Sequence, residues 1–272
     1  YEISLGLVGS EMCIRDRLET IGDYAFYSAT KLVDITIPGS VKTIGVGAFR
    51  DCWKMTKATL PEGLETIPRE CFIGCRKLES VNIPDSVTTI GNMAFTGCAL
   101  KEINISKNLT EISIPGYTFS GCPAAITVDA ANPNYSADER GVLYNKDKSL
   151  LLHCPNFEKA FTFDINCNID QYAFYNCANL TDVTFSYAIK KIPYAAFRNC
   201  GSLKITTVPD TVRMIDQVAF DGCGMTEFYL PDSVEYVGTQ AFSSTPLTHF
   251  EFNDIVAVSY THLRAHETEA DL

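Results

Sequence analysis

Apolar residues recur along this chain in a fixed short frame. Leu or Met falls six residues after each of a set of phenylalanines, as at Leu32, Met55, Leu78, Leu180 and Leu203. Further apolar residues follow at about nine and eleven: Ile35 and Ile37, Val81 and Ile83, Val183 and Phe185. Alternation of period two over so short a span predicts a strand with one face inward. Proline then closes it (Pro38, Pro61, Pro84, Pro209, Pro231), because proline cannot donate to a sheet ladder. A second short apolar pair comes next, as in Val41/Ile44, Leu64/Ile67, Val87/Ile90, Val212/Ile215 and Val234/Val237. Gly22, Gly45, Gly91 and Gly238 follow such pairs and are expected to turn the chain. The Ala-Phe-x-x-Cys segment is expected to form a tight or short helical turn that plugs the coil with Phe.

The anchor phenylalanines are Phe26, Phe49, Phe72, Phe95, Phe119, Phe174, Phe197, Phe220 and Phe242, at intervals of 23, 23, 23, 24, 55, 23, 23 and 22 residues. Self-similarity at this period is the mark of a solenoid whose coils each bury one strip of a shared core. One continuous curved solenoid over residues 18–256 is expected, with a parallel sheet and the anchors almost fully buried in a single row. Such a shape suits binding rather than a reaction.

Leu-x-x-Ile-x-Ile-Pro joined to Ile-Gly-x-x-Ala-Phe-x-x-Cys resembles the BspA-like leucine-rich repeats, a type common in bacterial surface proteins. The match covers about residues 18–256. Its departures are local: Ala29 and Thr245 replace Cys, Cys71 and Thr118 replace the Ala before Phe, and two residues are inserted after Ile112. The resemblance implies a β-dominated leucine-rich repeat solenoid of short parallel strands and tight helical turns. It also implies a cell-surface or secreted protein that contacts host components or other cells.

The 55-residue interval holds an insertion at about 123–160. There Val142-Leu143-Tyr144 and Leu150-Leu151-Leu152 flank Asn145-Lys146-Asp147-Lys148-Ser149, which predicts one hairpin with a polar loop. The Asn-Pro-x-Tyr…Gly-Val-Leu-x-Asn pattern around it is similar to inserts of BspA-like proteins. Asp129, Asn132, Asn134, Asp138 and Glu139 supply oxygen ligands without the spacing of an EF-hand, and are expected to be solvated loop residues.

Residues 7–16, LVGSEMCIRD, and 258–268, VSYTHLRAHET, break the repeat. They read as translations of complementary strands of one DNA element that resembles a transposase-type sequencing adaptor. Residues 1–17 and 257–272 are therefore expected to be artefactual ends flanking an interior piece of a longer protein. His262 and His266, four apart with Glu267 beside them, have helical metal-ligand spacing but fall in that tail.

The formal net charge is −11. An acidic chain without a basic stripe argues against a nucleic-acid partner, and no apolar run is long enough to insert in a membrane. Of eleven cysteines, Cys52, Cys75, Cys98, Cys122, Cys177, Cys200 and Cys223 fall at one repeat position. Stacked about 4.8 Å apart they are close enough for bridges, but side chains in parallel need not aim their sulfurs at one another. Buried thiols are expected over stacked disulfides. His153, Cys154 and Cys167 are expected to sit in an irregular connection rather than bind a soft metal. No nucleophile elbow, phosphate-binding loop or metalloprotease motif is present in the sequence. Neither catalysis nor a cofactor or metal is expected.

The residues between the apolar strand positions are expected to point outward and form the binding face: Asp34, Lys57, Asn82, Asn104, Asp182, Ile205, Glu227, Tyr229, His249 and Glu251. Tyr229, His249 and Ile205 depart most from small polar filler. The leading expectation is a non-catalytic adhesion module that binds a protein, or a host or other-cell surface component. The alternatives are a passive spacer or stalk, and an accessory domain joined to a further domain, possibly an enzyme.

Overall fold

The computed structural model describes residues 17–156 and 159–252, with the backbone of 257–258. His262, His266, Glu267 and nearly all of both adaptor-like ends lie outside the described residues. The chain divides into two compact units, residues 1–113 with 127–133, and residues 114–126 with 134–272. Each is a β-solenoid built from coils of the predicted frame.

In the first unit, Asp34–Thr36, Lys57–Thr59 and Ser80–Asn82 form a parallel ladder, with Asp34 opposite Lys57 and Lys57 opposite Ser80. The second apolar pairs form another row: Thr20–Ile21 pairs with Thr43–Ile44, and Thr66–Ile67, Thr89–Ile90 and Glu111–Ile112 pair in turn. Between the rows, each proline carbonyl accepts from the amide three residues on, as Pro38 from Val41 at 3.0 Å. Proline thus both ends the strand and anchors the corner.

The Ala-Phe-x-x-Cys turn follows a strict alternation. The amides of Tyr24, Phe26 and Ser28 donate to Val46, Ala48 and Arg50 of the next coil, while those of Ala25, Tyr27 and Ala29 donate three residues back. Every turn donor is thereby satisfied, as buried backbone requires. At every anchor but Phe119, which follows the short helix Pro115–Thr118, the residues two before and two after are left-handed. Glu70 (φ 61) and Val218 (φ 50) occupy the first position, Asp51 (φ 59) and Asn199 (φ 61) the second. A β-branched residue there is strained by about 1–2 kcal/mol, which the inter-coil bonds hold in place. Gly91 serves a different end from the one expected. Its φ is not left-handed, and a Cβ there would lie 2.4 Å from the backbone nitrogen of Arg69. It permits close approach of two coils rather than turning the chain.

The anchors stack face to face. Ring centroids are 5.2, 5.4 and 5.7 Å apart from Phe26 through Phe49 and Phe72 to Phe95. In the second unit, Phe174, Phe197, Phe220 and Phe242 form a stack of their own at 4.8, 5.4 and 5.4 Å. All are buried except Phe26, in the first described coil, which is 38% exposed.

The second unit contains the parallel row Lys191–Ile192, Met214–Ile215, Tyr236–Val237 and Ala257–Val258. The last of these lies inside the tail expected to stay outside the fold, yet its backbone adds a rung. The insertion has one strand more than the predicted hairpin: Tyr135–Ala137, Leu143–Asn145 and Leu150–His153 are antiparallel, and the third pairs in parallel with Asn168–Ile169. Asp138 holds it. One of its oxygens accepts from the Arg140 and Val142 amides, both at 3.0 Å, and the other from the Arg140 guanidinium at 2.8 and 3.0 Å. Arg140 in turn lies 4.6 Å over Phe161. Asn132, in the first unit, is fully buried and donates to the carbonyls of Ser106 and Leu109. Asp138 and Asn132 are thus structural caps rather than the solvated loop groups expected.

The ten cysteines among the described residues form no disulfide, and all are buried. Their repeat position has a positive explanation. The thiols of Cys52, Cys75, Cys98, Cys200 and Cys223 each donate to the carbonyl of an anchor Phe one coil earlier, at 3.0–3.2 Å. Burial holds the Cys71 and Cys200 thiols well above their ordinary range, so they stay protonated and poorly nucleophilic. A thiol reagent should therefore react slowly with these ten cysteines in the native chain and count all eleven once denaturant is added without reductant. A shortfall of two or more pairs contradicts the unbridged ladder.

Candidate binding face

The outward strand residues are where the period-two pattern puts them, with one exception. Asp34, Lys57, Asn82, Asn104, Asp182, Glu227, Tyr229, His249 and Glu251 are exposed. Ile205 is not: it is 7% exposed and belongs to the core of the second unit. The reason is local. Its segment, Leu203-Lys204-Ile205-Thr206-Thr207-Val208, carries two residues between its last apolar positions, where neighbouring coils carry one. No strand forms at 203–209; Lys204, Thr206 and Thr207 face out and Ile205 alternates inward with Leu203.

Several exposed polar residues are committed to holding adjacent coils. Asn82 accepts from the Leu60 amide at 2.7 Å and donates to its carbonyl at 3.2 Å. Asp34 accepts from the Thr56 hydroxyl at 2.8 Å, and Asn104 from that of Thr127. These positions read as coil-to-coil fasteners, leaving Lys57 the least constrained of that row in the first unit.

In the second unit, Glu227–Tyr229 pairs in parallel with His249–Glu251, placing Glu227 opposite His249 and Tyr229 opposite Glu251. Phe228 between them is buried and fixes which face the others present. The Tyr229 ring, 41% exposed, lies 5.6 Å from the His249 ring, and its hydroxyl is 3.5 Å from a Glu227 oxygen. Phe252, next along the chain, is exposed as well, but its ring lies 4.6 Å from that of Phe250, whose partner in the ladder is the buried Phe228. Two carboxylates, a phenol and an imidazole thus stand together on a rigid ladder. The patch can hydrogen-bond and stack.

His153 and Cys154 lie apart from that patch, both buried. Neither His153 ring nitrogen makes a hydrogen bond, and its ring centroid is 5.7 Å from that of Phe119. Among the described residues, no group of three His, Cys, Asp or Glu side chains is arranged to hold a metal ion. No helix among them is long and apolar enough to cross a membrane. The strand-based reading passed over several exposed aromatics, among them Tyr27 and Trp53, which stand on turns rather than strands.

Coils of this length, stacked with an Ile- and Leu-lined core and short parallel strands, define a leucine-rich repeat protein. A family model described as the BspA type leucine rich repeat region matches residues 10–126 and 152–263 in six copies, and the chain belongs to that family. Among solved structures, a leucine rich cell surface protein from Faecalibacterium prausnitzii A2-165 is similar, at 30% identity and a TM-score of 0.68, over 89% of this chain and 70% of that one. The pneumococcal vaccine antigen PcpA shares the fold at 19% identity and a TM-score of 0.65, over 85% of this chain and 67% of its own. A search among curated proteins gives no match. The matched family is one of repeat proteins rather than of catalysts.

Proposed function

We propose that the chain is a non-catalytic binding module of a bacterial cell-surface or secreted protein, and that it engages a protein, or a host or other-cell surface component, through its strand face. The observation that carries this reading is the Glu227, Tyr229, His249 and Glu251 patch, held in register on a rigid ladder and free of a coil-fastening role. Tyrosine at the centre of a polar rim is the composition that dominates interface energetics. Family membership and the surface location of the Faecalibacterium relative add support.

The test is binding of the purified chain to intact epithelial cells and to a panel of immobilised extracellular-matrix proteins. Tyr229→Ala combined with His249→Ala should weaken the strongest interaction at least about tenfold, the usual scale for loss of a central aromatic anchor. Its thermal midpoint should stay within error of the parent, since both side chains are exposed. Undiminished binding by the double variant would move the site elsewhere. Absence of binding to every surface would favour a spacer.

A further inference from the structure

A second exposed feature stands on the turn that precedes each outward strand of the first unit. The positions four and five residues after successive anchors carry Thr30-Lys31, Trp53-Lys54 and Arg76-Lys77. Register on both sides of this turn is fixed. The amides of Leu32, Met55 and Leu78 donate to Ala29, Cys52 and Cys75 at 3.0, 3.0 and 2.9 Å, and the strands that follow pair Asp34, Lys57 and Ser80. Lys31, Lys54 and Lys77 therefore form one column with neighbours about 4.8 Å apart along the stack. Trp53 stands in the adjoining column between Thr30 and Arg76.

All of these cations are exposed, and Trp53, the only tryptophan of the chain, is 54% exposed. The acids around them are engaged elsewhere: Glu79 with Lys101 at 2.6 Å, Asp51 with Arg50 at 3.5 Å, Asp34 with the Thr56 hydroxyl. Among the described residues, Lys31, Lys54, Lys57, Arg76 and Lys77 make no ion pair. A column of like charges is self-repelling, and an indole left in water forgoes its burial. Coil packing requires neither, since other coils put Ala99, Ala178 and Gly201 at the Trp53 position.

We propose that this stripe binds an acidic polysaccharide, whose anionic groups lie along Lys31, Lys54 and Lys77 while Trp53 stacks on a sugar ring. A linear polyanion matches a line of cations that runs along the stack axis. A lone aromatic favours a sugar chain over single-stranded nucleic acid, which is held by successive stacking platforms. Cations spaced about 4.8 Å apart also suit a single polysaccharide strand better than a duplex, which carries one negative charge per about 1.7 Å of its axis. The stripe lies off the strand face, so this proposal stands whether or not the Tyr229 patch binds anything.

The test is binding of the full chain to immobilised heparin, with uncharged dextran and oligo(dT) as comparison probes. Heparin should be held at low salt and released as salt rises, while dextran and oligo(dT) should not be retained. Trp53→Ala should weaken heparin binding about tenfold, and Lys31→Ala/Lys54→Ala/Lys77→Ala by more than that. The single variant Lys54→Gln, at an exposed position, should show a smaller loss in the same direction. Circular dichroism and the thermal midpoint should match the parent throughout. Parent-like heparin binding by a folded Lys54→Gln and Trp53→Ala pair overturns the proposal, as does failure to bind heparin. Equal or tighter retention on oligo(dT) overturns it in favour of a nucleic-acid surface.

Discussion

Replacing Phe72 by Ala should cost about 3–5 kcal/mol of stability, the range for truncating a buried aromatic in a packed core. Its ring is fully buried, lies 5.4 Å from Phe49 and 5.7 Å from Phe95, and is within 9° of parallel to both. Removing it leaves a void between two rings that the coil-to-coil hydrogen bonds prevent from closing. The backbone need not move, because the Phe72 carbonyl keeps the Cys75 amide and the Cys98 thiol as donors. Phe72→Leu separates burial from ring stacking. If burial dominates, leucine restores most of the loss and the remaining deficit is about 1 kcal/mol, the scale of an aromatic pair. Phe26→Ala supplies the gradient: a ring already 38% exposed should cost no more than about 1–2 kcal/mol. Urea denaturation of the three variants measures all of this. Equal losses at Phe26 and Phe72 would mean that the row does not act through burial.

That row was legible in the sequence because a solenoid writes each structural requirement once per coil. Phe, the Cys after it and the inward Leu recur at fixed intervals, so the buried face is readable without knowledge of distant contacts. What was not legible is what breaks that regularity or crosses between coils. Ile205 was misplaced because a single added residue between Ile205 and Val208 reverses which positions face inward, and counting from the anchor does not reveal it. The glycines were recognised by position but misread in purpose, since the steric demand at Gly91 comes from Arg69 of the neighbouring coil. The extra strand Tyr135–Ala137 is polar and short, and only its partner Leu143–Asn145 identifies it. The cationic stripe escaped for a related reason. Lys31, Lys54 and Lys77 are far apart in the chain, and an acidic total hides a local excess until the coils are stacked. On the strand face the pattern gave exposure correctly for nine positions but could not separate fasteners such as Asn82 from unoccupied groups such as Tyr229.

The largest pH effect should come from His153. It is 2% exposed, packed against Phe119, and neither ring nitrogen has a hydrogen-bond partner. Burial pulls its pKa down to about 3, whereas in the unfolded chain it titrates near 6.5. The native state therefore holds a neutral ring while the unfolded state takes up a proton as pH falls through that value. Stability from this residue is complete above about pH 7.5 and is lost progressively from about pH 6.5 towards pH 3, at about 1.4 kcal/mol per unit. By pH 4.5 the loss reaches about 3 kcal/mol. His153→Leu removes the titration and also the two unsatisfied nitrogens, whose burial costs about 1–3 kcal/mol even when neutral. The variant should therefore be more stable than the parent at pH 7.5, and its advantage should widen steadily on acidification. Other titrating groups are common to both proteins, so the informative quantity is the difference between the two denaturation curves at each pH. A difference that stays flat from pH 7.5 to pH 4.5 would mean that His153 finds a partner or water in solution and is not the neutral, unsatisfied core residue described above.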